Sequence, residues 1–238
     1  MKTPTGSILR LASVTSTQTE AALALRQETE TPGIILASTQ TEGRGRFQRP
    51  WFGEPGSSLF ASLIFPDYSD HKEPWLVGMA VGLAVASALH AKIQWPNDVT
   101  IGKKKVAGIL SELHPDNKGR RVPVIGVGVN LNISEFPAEL SDKATSVLIS
   151  RGHTLDPEET LVNILSRLRD LPEPTSWDAL KPVWSIFDDT PGKKYQTSDG
   201  QSAVGLGIGP RGELICSVDG ETQTILAAES IFGDSLAV

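Results

Sequence analysis

The chain has 238 residues, 21% charged and 39% hydrophobic, with a formal net charge of −6. That length buries one substantial core, with or without a small appendage, and the acidic balance argues against a general nucleic-acid binder, whose affinity rests on many Lys and Arg contacts to phosphates. A single cysteine, Cys216, excludes an internal disulfide framework and fits a reducing compartment, and no apolar run reaches the roughly 20 residues a bilayer crossing needs.

The opening MKTPTGSILRLAS has too short an apolar run for a secretory signal, so a cytoplasmic protein that does not enter a membrane is expected. Residues 8–14 read as a strand that runs into Thr15, Ser16, Thr17 and Gln18. Thr17 with Glu20 makes a capping-box pattern ahead of a helix carrying Ala21 and Leu25. Hydroxyls at such a junction can also donate to a polar ligand.

Residues 33–39 and 58–65 are apolar, β-branched runs, which predict two strands with a loop hung between them. The loop reads QTEGRGRFQRPW from Gln40 to Trp51. Gly43 and Gly45 permit close ligand approach and leave the segment adaptable. Arg44, Arg46 and Arg49 present always-charged forks suited to carboxylate or phosphate oxygens, and Trp51 offers a face on which a purine could stack. The segment reads as an anion clamp mounted on a sheet, with an exposed basic loop as the plainer alternative. Residues 41–53 have few apolar anchors and are expected to become ordered when a ligand gives the arginines a partner.

Residues 73–90 are apolar on nearly every side and predict a buried helix against a sheet. Next, IQWPND at 93–98 is a strand broken by proline and two turn formers, followed by a hairpin pattern over 99–113 that turns at Gly102 and Lys103. Residues 122–132, VPVIGVGVNLN, read as a buried strand. Gly126 and Gly128 lack the third glycine and following helix of a dinucleotide fingerprint, so they signal close approach of a ligand or backbone instead. Asp156, Pro157, Glu158 and Glu159 open a helix, and 176–187 form another. Five short strands then follow, at 193–197, 203–208, 213–218, 222–226 and 230–232. They predict a small barrel, a domain boundary near residue 188, and a buried strand position for Cys216 rather than a nucleophile.

Four motifs now coincide in order: GRGRFQRPW, QWPNDV at 94–99, KKVAGIL at 104–110 and VIGVGVNLN at 124–132. Together they resemble the biotin protein ligase family, in its monofunctional form without an N-terminal DNA-binding domain. The resemblance implies an α+β fold, a mixed β-sheet flanked by helices like those of class II aminoacyl-tRNA synthetases and biotin and lipoate ligases. A small C-terminal SH3-like β-barrel would follow, giving a catalytic domain over 1–187 and a β domain over 188–238. It implies a reaction in which biotin and ATP, with Mg²⁺, form biotinyl-5′-AMP, whose biotinyl group passes to a lysine of a biotin carboxyl carrier protein. No nucleic acid or membrane partner is implied, and the chain would be a monomer or homodimer.

Carried over by position, the resemblance assigns biotin contacts to Ser16, Thr17, Gln40, Gly43, Arg44, Lys105 and Gly108. It assigns nucleotide contacts to Arg46, Arg49, Trp51, Asn97, Asp98 and Asn130, with Lys105 and Arg46 as the catalytic pair and the Mg²⁺ ligands unassigned. Gln18 stands where the family usually has Asn, Gln48 where Gly is frequent, and Gln94 where Lys often precedes WPND; Lys103 or Lys104 could substitute for that last cation. A lipoate or other acyl ligase of the same fold, or a noncatalytic biotin sensor, would share much of this pattern.

Overall fold

The computed structural model describes residues 1–27, 30–197 and 199–226. A seven-stranded mixed sheet forms its centre. Its strands in chain order are β1 (Ile8–Leu11), β2 (Ile34–Ala37), β3 (Ser58–Ile64), β4 (Lys92–Gln94), β5 (Asp98–Ile101), β6 (Lys104–Pro115) and β7 (Arg121–Asn130). They lie in the spatial order β1-β2-β3-β7-β6-β5-β4. The β1–β2 pair is parallel and every other neighbour antiparallel, with short turns joining β4 to β5, β5 to β6 and β6 to β7.

Alternation along the strands feeds two cores. Leu59, Ala61 and Leu63 of β3 and Ile125, Val127 and Val129 of β7 face α2 (Trp75–Ala88), α4 (Pro157–Arg169) and α5 (Trp177–Phe187). Ile35, Ile64, Val122 and Val124 instead meet Ala21 and Leu25 of α1 (Thr17–Arg26) on the opposite side. The helix expected over 73–90 is α2, buried without a break from Leu76 to Ala86. It approaches the sheet so closely that a Cβ at Gly78 would fall 2.0 Å from Ser111 Oγ. A further short helix, α3 (Val147–Arg151), was not signalled by periodicity.

One expectation is corrected at α1. The N-cap is Ser16, whose extended backbone lets its hydroxyl accept from the Gln18 amide. Thr17 cannot cap, because its hydroxyl donates to Gln40 Oε1 at 3.1 Å and accepts from Ser62 Oγ at 2.9 Å. The helix start at 157 carries its expected cap, Asp156, and the helix from 177 is capped by Ser176, which the sequence reading placed inside the helix.

Beyond α5, four strands form an antiparallel sheet: β8 (Lys194–Gln196), β9 (Ser202–Ile208), β10 (Leu214–Val218) and β11 (Glu221–Ile225), in the order β11-β10-β9-β8. Among the described residues this sheet is open and not a closed barrel; the strand expected at 230–232 lies outside them. Cys216 is a buried position of β10, and burial pushes its thiol pKa up, which suits a structural residue. The small sheet joins the main one through Trp95. Its amide donates to Thr190 Oγ1 at 3.0 Å, its indole to the Gly212 carbonyl at 2.8 Å, and its ring meets Tyr195 edge-on at 5.9 Å. Among the described residues no helix is long and apolar enough to cross a membrane.

Candidate active site

On the α1 side of the sheet, β6 and β7 place Gly108 opposite Gly128, so two strands lack side chains at one spot. Trp51 fills it. A Cβ at Gly108 would lie 2.7 Å, and one at Gly128 2.8 Å, from its indole, so only glycine lets the ring rest on the sheet. The loop carrying Trp51 is tied back on itself by Trp51 N to Gly43 O and Gly45 N to Arg49 O, both 2.8 Å. Phe47 and Gln48, at its tip, have left-handed backbones with φ of 57° and 58°.

These features frame a partly open cavity between α1, the loop and the sheet face. At one end stand Ser16, Thr17 and Gln40, with the Thr17 amide donating to Gln40 Oε1 at 2.8 Å. This end offers hydroxyls and an amide, and the Arg44 charge beside it is paired with Glu112. The other end collects Arg46, Arg49, Lys105, Asp98 and Asn97. Lys105 Nζ lies 2.9 Å from Asp98 Oδ1, both side chains nearly buried, and 5.0 Å from the Trp51 ring centroid. Burial lowers the Arg46 pKa to about 10, Asp98 opposes that shift, and Arg49 adds to it. Three cations around one carboxylate make this end receptive to an anion.

Every residue assigned from the sequence lines this cavity except Gly43 and Asn130. Gly43 lies behind the wall, where a Cβ would meet the Gln40 amide at 3.0 Å. Asn130 is fully buried and donates to the Thr145 carbonyl, so it anchors the chain that follows β7. Of the three departures, Gln18 reaches the sheet floor, with its amide nitrogen 3.3 Å from the Leu110 carbonyl. Gln94 lies away from the cavity against the Tyr195 hydroxyl. Lys103 and Lys104 do not replace a cation there: Lys103 occupies the exposed turn, and Lys104 donates to the Ser141 carbonyl. Sequence reasoning missed Ser62, Thr19, Phe47, Glu112 and His114. A lone serine at the core of SLFASLIF was the available signal for Ser62; the others meet the site only through the fold.

The fold and cavity define an α+β domain whose sheet face carries a cavity with a hydroxyl- and amide-lined end and a cationic end. The biotin/lipoate A/B protein ligase family description matches residues 11–130, and the chain belongs to that family. A biotin–[acetyl-CoA-carboxylase] ligase of Paracoccus denitrificans is 30% identical over 239 positions, covering 94% of this chain and 99% of that one. The bifunctional ligase/repressor BirA of Bacillus subtilis is 31% identical over 215 residues, covering 84% of this chain. The chain spans 43% and 66% of the lengths of the two Bacillus ligase/repressors it matches. Among solved structures, a biotin protein ligase from Aquifex aeolicus in complex with biotin and ATP shares the fold, with TM-score 0.75, 24% identity and coverage of 96% and 99%.

Proposed function

We propose that the protein joins biotin to ATP as biotinyl-5′-AMP and passes the biotinyl group to one lysine of a biotin carboxyl carrier protein, of acetyl-CoA carboxylase or a related carboxylase. The carrying observation is the two-ended cavity. A cyclic urea needs donors and acceptors without charge, which Ser16, Thr17 and Gln40 supply, while a carboxylate meeting a phosphate needs the cations at the far end. In the first step the biotin carboxylate attacks the α-phosphorus and pyrophosphate leaves. In the second, the carrier amine attacks the acyl carbon and AMP leaves.

No protein nucleophile is required, because the barrier is charge repulsion and alignment. Lys105, at the cationic end, can bridge the carboxylate and the α-phosphate as it gives up Asp98. Arg46 and Arg49 take phosphate oxygens, and Arg46 retains the adenylate until the carrier docks. Trp51, resting on the glycine floor, offers its face to the adenine, and Asn130 steadies the segment leaving β7 beside it.

Among the described residues no group of three or more His, Cys, Asp or Glu could hold a metal ion. That fits Mg²⁺ arriving on the triphosphate, since this ion typically needs only one or two protein carboxylates besides phosphate oxygens. Asp98 is the carboxylate in the cavity wall that would hold it, and the ion would supply further neutralisation of phosphate charge.

We read residues 188–238 as a separate SH3-like β domain packed on a catalytic domain of 1–187, and the protein as cytoplasmic, without a nucleic-acid partner, and monomeric or homodimeric. A lipoate ligase is disfavoured, because a dithiolane ring would leave the polar end without partners. Pyrophosphate release that needs both biotin and ATP, with labelling of a carrier domain, tests the reading. Release with lipoate instead, or binding of biotin without release, would replace it with the acyl-ligase or the sensor reading.

A further inference from the structure

Glu112 lies on the same face of β6 as Gly108, two alternations further along, and opens on the neighbouring groove instead of the cavity. An ionised carboxylate only accepts hydrogen bonds and can gather several donors. Here one oxygen, Oε2, gathers three from three parts of the chain: Gln18 Nε2 of α1 at 3.2 Å, Arg44 of the loop at 3.3 Å, and His114 Nε2 of its own strand at 3.0 Å. The other terminal nitrogen of Arg44 donates to Thr19 Oγ1 at 3.0 Å, so the guanidinium bridges β6 to the first turn of α1. Gln18 Nε2 also faces the Leu110 and Val124 carbonyls, at 3.3 and 3.4 Å, which orients its amide toward the sheet.

The consequence falls on the cavity's hydroxyl- and amide-lined end. Arg44 is committed to Thr19 and Glu112. What its anchoring fixes is the loop backbone beside Gln40 and the distance of that backbone from Ser16 and Thr17, which stand at the same helix start as Gln18 and Thr19. The carboxyl is ionised at neutral pH, since the His114 hydrogen bond holds it below the usual carboxylate range against burial, with Arg44 helping.

We propose that Glu112 is a positioning residue for the biotin-head pocket, latching the arginine loop and the start of α1 to β6 through Arg44 and Gln18 without touching substrate. This rests on the reading of the cavity as a biotin site. It also explains the glutamine at position 18, because asparagine is one methylene shorter and would reach less far toward Glu112.

Glu112→Gln, Arg44→Met and the double variant test the proposal through KM for biotin, KM for ATP and kcat of pyrophosphate release, together with tryptic cleavage after Arg46 without ligands. Glu112→Gln keeps the shape and removes the charge. It should raise KM for biotin about ten-fold, leave KM for ATP and kcat at the parent's values, and speed loop cleavage. The double variant should bind biotin no worse than Arg44→Met alone, because the two residues act as one unit. An unchanged KM for biotin, or an equal rise in both KM values with a fall in kcat, would overturn the positioning role. If the parent itself releases no pyrophosphate with biotin, the functional reading fails. Faster cleavage in Glu112→Gln would then still support the latch, and unchanged cleavage would overturn it.

Discussion

At the cationic end Lys105 and Asp98 pair across 2.9 Å, both nearly buried, so removing either one takes away the other's close partner. Breaking a buried pair by removing one partner costs about 3–5 kcal/mol, much of it the stranded charge, whereas replacing both is often nearly neutral. Lys105→Met should therefore lower both the melting temperature and adenylate formation. Adding Asp98→Asn should restore the melting temperature but not pyrophosphate release. Recovery of both would remove Lys105 from the chemistry. A second prediction concerns Gln48, held at φ 58° in a region where L residues are strained by about 1–2 kcal/mol. Gln48→Gly should raise the melting temperature, and a fall would show that the glutamine side chain makes a compensating contact. The backbone angle also gives a physical reason for the glycine frequent at this place in the motif. The residue types were legible because arginine, lysine and glycine carry their chemistry in any setting. The Lys105–Asp98 pair was not, since their facing sides emerge only when β5 and β6 pair.

At the scale of elements, the site depends on β6 and β7 presenting glycine to glycine. The sequence shows Gly108 and Gly128, and even that strand glycines mark close approach, but not that these two are Cα partners in the ladder. Register is set by which face is buried, so the partner of a glycine becomes known only when both strands are placed. The same holds for Glu112: its donors Gln18 and Arg44 lie 94 and 68 residues away in the chain. The α1 cap failed as an expectation for a local reason, because tertiary partners claimed the Thr17 hydroxyl and left Ser16 to cap. The glycine floor yields a test. In Gly128→Ala the new methyl would sit about 2.8 Å from the Trp51 indole and force it off the sheet. Trp51 emission, isolated by comparison with a Trp51→Phe control, should shift toward that of an exposed indole, and adenylate formation should fall. Unchanged emission would mean that the floor yields instead.

At the scale of the whole molecule, the two sheets are held together by a seam of Trp95, Thr190, Tyr195 and Gly212, which also contains the bridge from Ile93 to Asp188. Tyr195 is 2% exposed, and burial raises its hydroxyl pKa above the usual tyrosine value, opposed by hydrogen bonds from Gln94 and Thr190 and aided by Asp188 and Asp98. The sign follows directly. A folded-state pKa raised above the unfolded value leaves stability intact below the unfolded pKa, near 10 for tyrosine, and removes it as pH climbs toward the folded value. Over that window each such tyrosine costs up to about 1.4 kcal/mol per pH unit. The chain has two tyrosines, and Tyr68, beside Glu173, is shifted in the same direction. Tyr195→Phe removes one ionisation while keeping the ring against Trp95, so its melting temperature should fall less between neutral pH and pH about 11 than the parent's does. Because the seam joins the small sheet to the strand bearing Gln94, the parent should lose the β8–β11 amides' protection from hydrogen exchange first as pH rises, once the intrinsic acceleration by base is corrected for. Parallel loss in parent and variant would place the alkaline weakness at Tyr68 instead, and Tyr68→Phe would then show the gain.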